Sequence, residues 1–449
     1  MKTKHIVVLM TGITALAAAG FMGAGRERQL VVHEWGTFTS LQGSDGVPLK
    51  WNPLASSRLP AFVYNWMRPG FGRRPTGMLS LGNKGALVTL QRMETPVVYF
   101  YTPEQIKIDL TVRFPNGGIT EWYPQAADVG PSVYPLNPVI AGLDSGLHQC
   151  GVAPTFTLAS VFQPRTQKES LIRWTDLNII TSDAHFHRSP RLLADSSGSH
   201  YYAARETDSA LIELPQSGGT NEIEKFLFYR GVGNFVAPLR VAMPDERTVL
   251  LSNTGTEPLS YLFILGIQGE RGDFVSLERL GPGRQTNASL ELKNQGRSLK
   301  TLRKQIQSAM AQALSAEGLY PREAAAMVKT WDNSWFTEPG VRVLYMLPRA
   351  WTDQTLPMSI DPKPKELVRV MVGRAELITA RTEKDLANEL AQAGRDHAAA
   401  TDRLRTSMAE LGRFAEPAFN RALARADLQP SDRDRLISWF YQERRSSVH

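Results

Sequence analysis

The chain has 449 residues and a formal net charge of +7 at pH 7, with 42% hydrophobic and 21% charged residues. This composition excludes an intrinsically disordered chain, and the length is enough for two or three domains with a sizeable core. No block of lysine and arginine forms the basic stripe typical of nucleic-acid binding, so we expect no nucleic-acid partner. Cys150 is the single cysteine, which excludes an intramolecular disulfide.

The N-terminus has the pattern of an export signal. Two lysines, Lys2 and Lys4, precede an apolar, alanine-rich run over residues 6–24 that includes small residues suited to cleavage. We therefore expect residues 1–24 to be a signal peptide and the mature protein to be periplasmic or secreted, with no integral membrane domain. An uncleaved N-terminal anchor is the alternative, since the run is just long enough to span a bilayer.

The strongest strand signal lies at residues 106–114, where apolar and polar residues alternate without a break. A half-buried strand produces this period of two, because successive side chains point to opposite faces of a sheet. Asn116 and Gly117 follow and predict a two-residue hairpin turn. In that hairpin Phe114 pairs with Ile119.

The same turn decides where Glu121 points. With a two-residue loop, Glu121 and Tyr123 join the apolar face, so that a carboxylate enters the core or a cleft. A three-residue loop turns Glu121 outward instead, since a shift of one residue reverses every side chain of a strand.

Beyond the predicted signal peptide, the chain divides into three further regions. Residues 25–293 carry short strands at regular spacing with turn signals, which predicts antiparallel sheets in one or two sandwich-like lobes. Residues 294–380 read as a mixed α/β segment, and residues 381–449 as an arginine-rich helical appendage suited to a partner. The expected fold class is mainly β, with an antiparallel sandwich-like core and a C-terminal α/β and helical region.

His185 and His187 form the sharpest histidine pair. On a strand, an H-x-H spacing places both imidazoles on one face, where they can share a zinc or other divalent metal. His200 completes the predicted metal site. The other candidates for a third ligand are His33, Glu94, Glu121 and Asp183. The alternative is a polar loop with hydrogen-bonded histidines.

Glutamates next to aromatic residues suggest sugar chemistry. Glu34 precedes Trp35, and Glu121 precedes Trp122. Paired carboxylates can act as acid and as nucleophile or base at a glycosidic bond, while tryptophan rings stack on sugars. Glu34 and Glu121 are therefore the candidate catalytic residues. The alternative is that the aromatic rings fill the core, while each glutamate caps a strand end or pairs with an arginine such as Arg92 or Arg113.

The segment 200–208 is dense in polar and aromatic residues and reads as a strand. Arg205 within it can clamp a carboxylate or phosphate of a ligand with two parallel hydrogen bonds. An internal ion pair between Arg205 and a glutamate is the alternative.

Several segments of the chain resemble those of a family of exported, uncharacterised bacterial proteins. The resemblance is carried by residues 33–39 (HEWGTFT), 93–96 (METP), 120–124 (TEWYP), 200–208 (HYYAARETD) and 225–235. It covers nearly the whole mature chain and implies export. The family has no established activity, so the resemblance assigns no catalytic residue.

Two functional hypotheses follow from the sequence. The first is a cell-envelope protein that binds a polymer or protein partner through its β region, because no strong catalytic motif is present. The second is a hydrolase of a polysaccharide or another envelope substrate, which uses a histidine-bound metal or the Glu34 and Glu121 pair.

Overall fold

The computed structural model describes residues 29–53, 59–65, 88–130, 170–181, 192–216, 220–291, 296–395 and 397–446. The predicted signal peptide, His185 and His187 lie outside these residues. The strands in chain order are β1 Val31–Gln42, β2 Pro48–Leu49, β3 Tyr64–Asn65, β4 Gln91–Tyr101, β5 Ile106–Phe114, β6 Gly117–Tyr123, β7 Asp128–Gly130, β8 Ser170–Ile180, β9 Leu211–Leu214, β10 Glu222–Glu224, β11 Leu227–Gly233, β12 Leu239–Ala242, β13 Thr248–Asn253, β14 Leu259–Gln268, β15 Arg271–Leu280, β16 Gln285–Ser289, β17 Arg297–Ser298, β18 Gly340–Leu347, β19 Met358–Asp361 and β20 Glu366–Leu377.

The helices lie mainly in the C-terminal part. They are α1 Leu299–Ala316, α2 Pro321–Phe336, α3 Arg349–Thr355, α4 Ala380–Arg395, α5 His397–Leu411, α6 Ala415–Arg425 and α7 Pro430–Ser446, with short 3-10 helices at His200–Arg205 and Gly412–Phe414. Strands account for 41% of the structure and helices for 31%, so the expected mainly β chain with C-terminal helices is confirmed. No helix among the described residues is long and apolar enough to cross a bilayer.

One large mixed sheet organises the molecule. Its strand order is β17-β15-β14-β18-β20-β1-β4-β11-β6-β3, with β2 paired to β1. Strand β1 lies near the middle, parallel to β20 and antiparallel to β4. Strands β18 and β20, from the segment predicted as mixed α/β, therefore sit inside the same sheet as the N-terminal strands.

The two faces of this sheet pack against different layers. On one face, here called the sandwich face, lie a six-stranded sheet (β10-β9-β8-β5-β19, with β7) and a three-stranded sheet (β12-β13-β16). All three sheets share one apolar cluster, which includes Val98, Val112 and Leu251. On the opposite, helix face, α1 and α2 pack through residues such as Met327 and Trp331 against Val97 of β4.

The helical region α4–α7 packs at one end of β1. Its apolar cluster includes Leu41 of β1 and Trp51. The buried Glu383 at the start of α4 binds Ser44 and receives Arg421 and Arg425 of α6. Many arginines of the helical region are thus used in ion pairs within the chain.

The predicted hairpin is wrong. Strand β5 has the expected alternation, with Ile108, Leu110, Val112 and Phe114 buried. It pairs with β8 and β19, however, whereas β6 pairs with β11 and β3 in the large sheet. The chain therefore crosses from one layer of the sandwich to the other at Pro115 and Asn116.

Gly117 serves close packing in this crossing. A Cβ atom at Gly117 would lie 2.3 Å from the Phe114 ring and 2.5 Å from the carbonyl oxygen of Val232. A glycine at this position predicts a tight hairpin and an inter-sheet crossing equally well, because both bring backbone and side chains close together.

Candidate functional site

Shifts in the strand-pairing register form a row across the large sheet, at β4, β11 and β6. The pairing register shifts between β1 and β4 at Trp35 and Thr37, and between β11 and β6 at Arg230 and Gly231. The β4–β11 ladder is interrupted at the same level. Bulges of this kind redirect side chains and are common beside functional sites.

Thr95 is the centre of the irregularity in β4. It is buried and has a φ of 53°, a left-handed conformation that is unusual for a threonine. Gly36 of β1 lies alongside, where a Cβ would come within 3.0 Å of Pro96 Cα and Met371 Sδ. The small residue in β1 therefore makes room for the bulge in β4.

Charged side chains cluster at this row on the helix face of the sheet. Glu94 Oε2 accepts a hydrogen bond of 2.6 Å from the Thr39 hydroxyl, and Glu94 Oε1 lies 3.3 Å from Arg92 Nε. Glu121 of β6 lies opposite Arg230 of β11 in the register. These four charged side chains are each at most 2% exposed.

The charges continue across β20 and β18. Glu376 Oε1 lies 2.9 Å from Arg342 Nε and 2.5 Å from Arg374 Nε. Burial by itself raises the pKa of Glu376, but Arg342 and Arg374 hold it below its ordinary value. Arg374 also binds Glu338, whose side chain is 47% exposed, at 2.7 Å.

The helical region supplies one further arginine. Arg413, in the 3-10 helix Gly412–Phe414, places Nη1 3.0 Å from Glu94 Oε1 and stacks over Trp51 and Phe414. Burial opposes ionisation of Glu94, but Arg413, Arg92 and Arg374 together hold the pKa of this carboxyl well below its usual range. We call Arg92, Arg230, Arg342, Arg374 and Arg413, with Glu94, Glu121 and Glu376, the arginine cluster.

His200 and helix α2 border the arginine cluster. The His200 ring lies 5.3 Å from that of Trp331, which stacks in parallel on Trp335. Burial, together with the charge of Arg230, lowers the pKa of His200 to about 4. His200 is therefore neutral at pH 7, and positive charge in the cluster comes from guanidinium groups alone.

The arginine cluster contains more donors than the described residues satisfy. Burial, with repulsion from Arg230 and Arg413, lowers the pKa of Arg92 to about 9. Several buried polar atoms in and around the cluster also have no hydrogen-bond partner in the described part of the chain. They are the donors Trp331 Nε1, Trp335 Nε1, Arg374 Nη1 and Arg413 Nη2, the hydroxyls of Thr37 and Thr95, and the atoms Glu121 Oε1 and His200 Nε2. An acceptor-rich, anionic group is the chemical complement of this arrangement.

Glu34 lies on the opposite, sandwich face. Its Oε2 receives Arg369 Nε at 2.6 Å, and its Oε1 accepts a short hydrogen bond from the Tyr229 hydroxyl. Tyr229 precedes Arg230, and the in-register pairs place Trp122 beside Tyr229 and Glu121 beside Arg230. Since neighbouring residues of a strand point to opposite faces, the structure does not bring Glu34 and Glu121 together as a catalytic pair.

Both candidate stacking residues are core side chains. Trp35 is fully buried on the helix face, with its ring 6.1 Å from Tyr99. Trp122 is 2% exposed and belongs to the core of the sandwich face. Neither presents a ring to solvent on which a sugar could stack.

Arg205 adopts the internal alternative. Residues His200–Arg205 form a 3-10 helix, so the prediction of a strand there is wrong. Arg205 binds the buried Glu224 with hydrogen bonds of 2.7–3.2 Å to both carboxylate oxygens, and its guanidinium lies 5.0 Å from the Tyr202 ring centre. The sequence SGSHYY favours the short helix because the Ser199 hydroxyl accepts a hydrogen bond from the Tyr201 amide.

The predicted zinc site stays a prediction. His200 is described, but His185, His187 and Asp183 lie outside the described residues. Within the described ranges, no three histidine, cysteine, aspartate or glutamate side chains are placed to hold a metal ion. Of the other third-ligand candidates, His33 binds Glu323, and Glu94 and Glu121 belong to the arginine cluster.

Sequence reasoning offered Arg92 as a possible glutamate partner but missed the other arginines of the cluster. Arg342 and Arg374 stand inside otherwise apolar strands, in GVRVLYML and VRVMVGRAEL. A charged residue within an apolar run is the signal that could have identified them, since such residues are buried only with partners. Arg413 carries no comparable signal, because it lies in a polar helical region far away along the chain.

Comparison with known proteins does not identify this chain. It matches no family model and no curated protein. Among solved structures, the Fcho1 Mu homology domain of Danio rerio with bound Eps15 peptide aligns over 78% of this chain and 98% of its own, at 7% identity and a TM-score of 0.26. A likeness this weak carries no argument about fold or function.

Proposed function

We propose that this chain is an exported cell-envelope protein that binds an anionic polymer, through a carboxylate or phosphate group held at the arginine cluster. The observation that carries the proposal is that the arginine cluster and the tryptophans beside it hold more buried guanidinium and indole N–H donors than the described residues supply with acceptors. An ionised carboxylate or phosphate supplies acceptor oxygens for these donors and relieves the repulsion among the arginines.

The margin of the cluster offers a route of approach. Arg413 is the member with the largest exposed fraction, 14% of its side chain, and the neighbouring Glu338 is 47% exposed. An anionic group from solvent would therefore meet the cluster first at Arg413, on the 3-10 helix Gly412–Phe414. The chain stays basic without the predicted signal peptide, which contributes only Lys2 and Lys4 to the net charge of +7, and this favours association with anionic polymers outside the cell.

The test is a titration of the full mature chain at constant ionic strength. Polygalacturonate supplies carboxylates and inorganic polyphosphate supplies phosphates, with neutral dextran as the control. Binding of one anionic polymer, but not of dextran, is the expected result. Arg413→Gln should weaken that binding about tenfold or more, because it removes a charge-assisted contact.

Arg405→Gln is the matched control variant. Arg405 lies in the same helical region, but it forms surface ion pairs with Asp402 and Glu443. Binding that is equally strong in the wild-type, Arg413→Gln and Arg405→Gln proteins would remove the cluster as the binding site. Capture of a protein ligand with no response to either polymer would instead favour the protein-partner alternative.

One specific observation supports the hydrolase alternative. Glu121 is 2% exposed, and its Oε1 has no partner among the described residues, as a carboxylate that acts on a ligand would require. Glu121→Gln should then abolish turnover of a responsive glycan. The metal version is tested by elemental analysis of untagged protein, and a chain free of metal that metal addition does not stabilise would refute it.

A further inference from the structure

A second polar site lies on the helix face, at the start of helix α2. His33 Nδ1 and Glu323 Oε2 are 2.6 Å apart, and the same carboxylate oxygen accepts a hydrogen bond of 2.8 Å from the Tyr320 amide. His33 is 1% exposed and Glu323 is fully buried. The pair therefore joins strand β1 to the first turn of α2.

Two tyrosine rings enclose the His33 imidazole. Its ring centre lies 4.4 Å from that of Tyr320 and 5.3 Å from that of Tyr101, and the two tyrosine rings are 4.8 Å apart, edge to face. Tyr320 is 42% exposed, so one wall of this site faces solvent. The arrangement combines aromatic rings with a carboxylate.

The unsatisfied atoms of this site differ in kind from those of the arginine cluster. In the neutral tautomer that donates the Nδ1 proton to Glu323, His33 Nε2 is an acceptor. Among the described residues, His33 Nε2 and Glu323 Oε1 have no hydrogen-bond partner, and the Tyr101 hydroxyl interacts with the Glu323 carboxylate, which raises the pKa of Tyr101. The site therefore presents acceptors where the arginine cluster presents donors.

The electrostatic surroundings are negative. Burial raises the pKa of the Tyr101 hydroxyl, and the charges of Glu323 and Asp208 raise it further. Burial, Glu366 and Glu323 raise the pKa of Tyr320 in the same way. A cation near both rings is stabilised by these carboxylates and by the ring faces.

We infer that His33, Glu323, Tyr101 and Tyr320 form a binding site for a primary ammonium group. An ammonium has three N–H donors, which match the imidazole nitrogen, the carboxylate oxygen and the tyrosine hydroxyl. No three acidic, histidine or cysteine side chains of the described chain are grouped for a metal ion, which favours an organic cation here. The inference is independent of the proposed anion site.

The test uses thermal unfolding and calorimetric titration of the full chain with methylammonium chloride, against sodium chloride at equal ionic strength. Methylammonium should raise Tm in a concentration-dependent manner, because a ligand that binds only the folded state stabilises it. Potassium and tetramethylammonium chlorides should raise Tm less than methylammonium chloride, since neither cation can donate hydrogen bonds to the acceptors of the site. A methylammonium response no larger than that of sodium or potassium would overturn the inference.

Variants of the chain test whether methylammonium binds at this site. Tyr320→Ala removes one ring but keeps the backbone amide that binds Glu323, and it should weaken methylammonium binding. Tyr441→Ala, at a tyrosine that is also 42% exposed but lies in α7, should leave binding unchanged. Glu323→Gln should abolish the response, and Arg413→Gln should retain it. Equal binding by the Tyr320→Ala and Tyr441→Ala proteins would rule out the site.

Two further ligands distinguish the natural source of the ammonium. Tighter binding of glucosamine than of methylammonium supports an amino sugar, and tighter binding of Nα-acetyllysine supports a lysine side chain. Either result supports the site, whereas binding of both in the Glu323→Gln protein with unchanged affinity would contradict it.

Discussion

Glu34 and Glu121 are both buried in the large sheet, but they lie on opposite faces and their carboxylates have different partners. On the sandwich face, Arg369 and Tyr229 satisfy Glu34. On the helix face, Glu121 binds Thr120 and keeps one oxygen without a partner in the described chain, near arginines that outnumber the carboxylates. Arg369 keeps one buried donor, Nη2, without a partner in the described chain, so the difference between the faces lies in the carboxylates. A carboxylate that is fully paired stabilises a fold, while one with an unsatisfied oxygen in a donor-rich cluster is suited to a ligand.

The largest expected loss of stability comes from breaking the Glu34–Arg369 ion pair on the sandwich face. Glu34→Gln removes the buried carboxylate that pairs with Arg369 and leaves the half-exposed Asp353 as the other acidic partner of this guanidinium, which should lower the free energy of unfolding by about 3–5 kcal/mol. Urea denaturation measures the loss. Lys329→Gln is the control, because it removes an exposed pair with Glu206 and should change stability by at most about 1 kcal/mol. A similar small change in both variants would show that Glu34 is not held as described.

The second prediction concerns pH and the helix face. Because the pKa of His200 is lowered from 6.5 to about 4, the unfolded chain binds a proton in this range that the folded chain does not. The free energy of unfolding should therefore fall with decreasing pH between those values, by about 1.4 kcal/mol per pH unit and about 3 kcal/mol in all. His200→Gln should remove this part of the slope in denaturant titrations. Parallel curves for the two proteins would contradict the burial of a neutral His200.

The third prediction tests the bulge that separates the two environments. Gly36→Ala places a Cβ against Pro96 and Met371, and we expect a loss of about 1–3 kcal/mol in stability together with weaker anion binding. In Gly281→Ala the nearest atom, Arg284 Cγ, is 3.4 Å from the new Cβ, so this control should stay within about 0.5 kcal/mol. Unaltered anion binding in Gly36→Ala would separate the bulge from the site.

The smallest expected change in stability concerns Thr37, on the helix face. The buried Thr37 hydroxyl has no partner in the described ranges, so Thr37→Val should change the stability of the ligand-free protein by no more than about 0.5 kcal/mol. Tyr229→Phe, which removes a hydrogen bond to the charged Glu34, should cost about 1.5–3 kcal/mol. Unfolding curves of the two variants provide the measurement, and equal losses would abolish the distinction between the faces.

Local pattern predicted strand β5, because the alternation at residues 106–114 corresponds to it. It failed at residues 200–208, where apolar, polar and aromatic residues fit a strand or a short helix equally well. The Ser199 hydroxyl and packing against α2 favour the helix there.

The candidate site was less accessible to sequence reasoning. The position of Glu121 on a buried face was predicted under the two-residue turn, and Arg92 was a candidate partner for the glutamates, but Arg230 and Arg413 were not predicted. Arg230 lies opposite Glu121 through strand pairing, and Arg413 binds Glu94 from more than 300 residues away along the chain. No local period encodes contacts of that range.

The sequence by itself determined a mainly β chain with a helical C-terminal region, because side-chain period and turn residues act over a few neighbouring positions. Only the tertiary structure decided that β5 and β6 belong to different sheets, that β18 and β20 complete the N-terminal sheet, and that Glu34 and Glu121 face opposite ways. These outcomes depend on which strands pair and on which layer covers each face, and both are set by packing between distant segments.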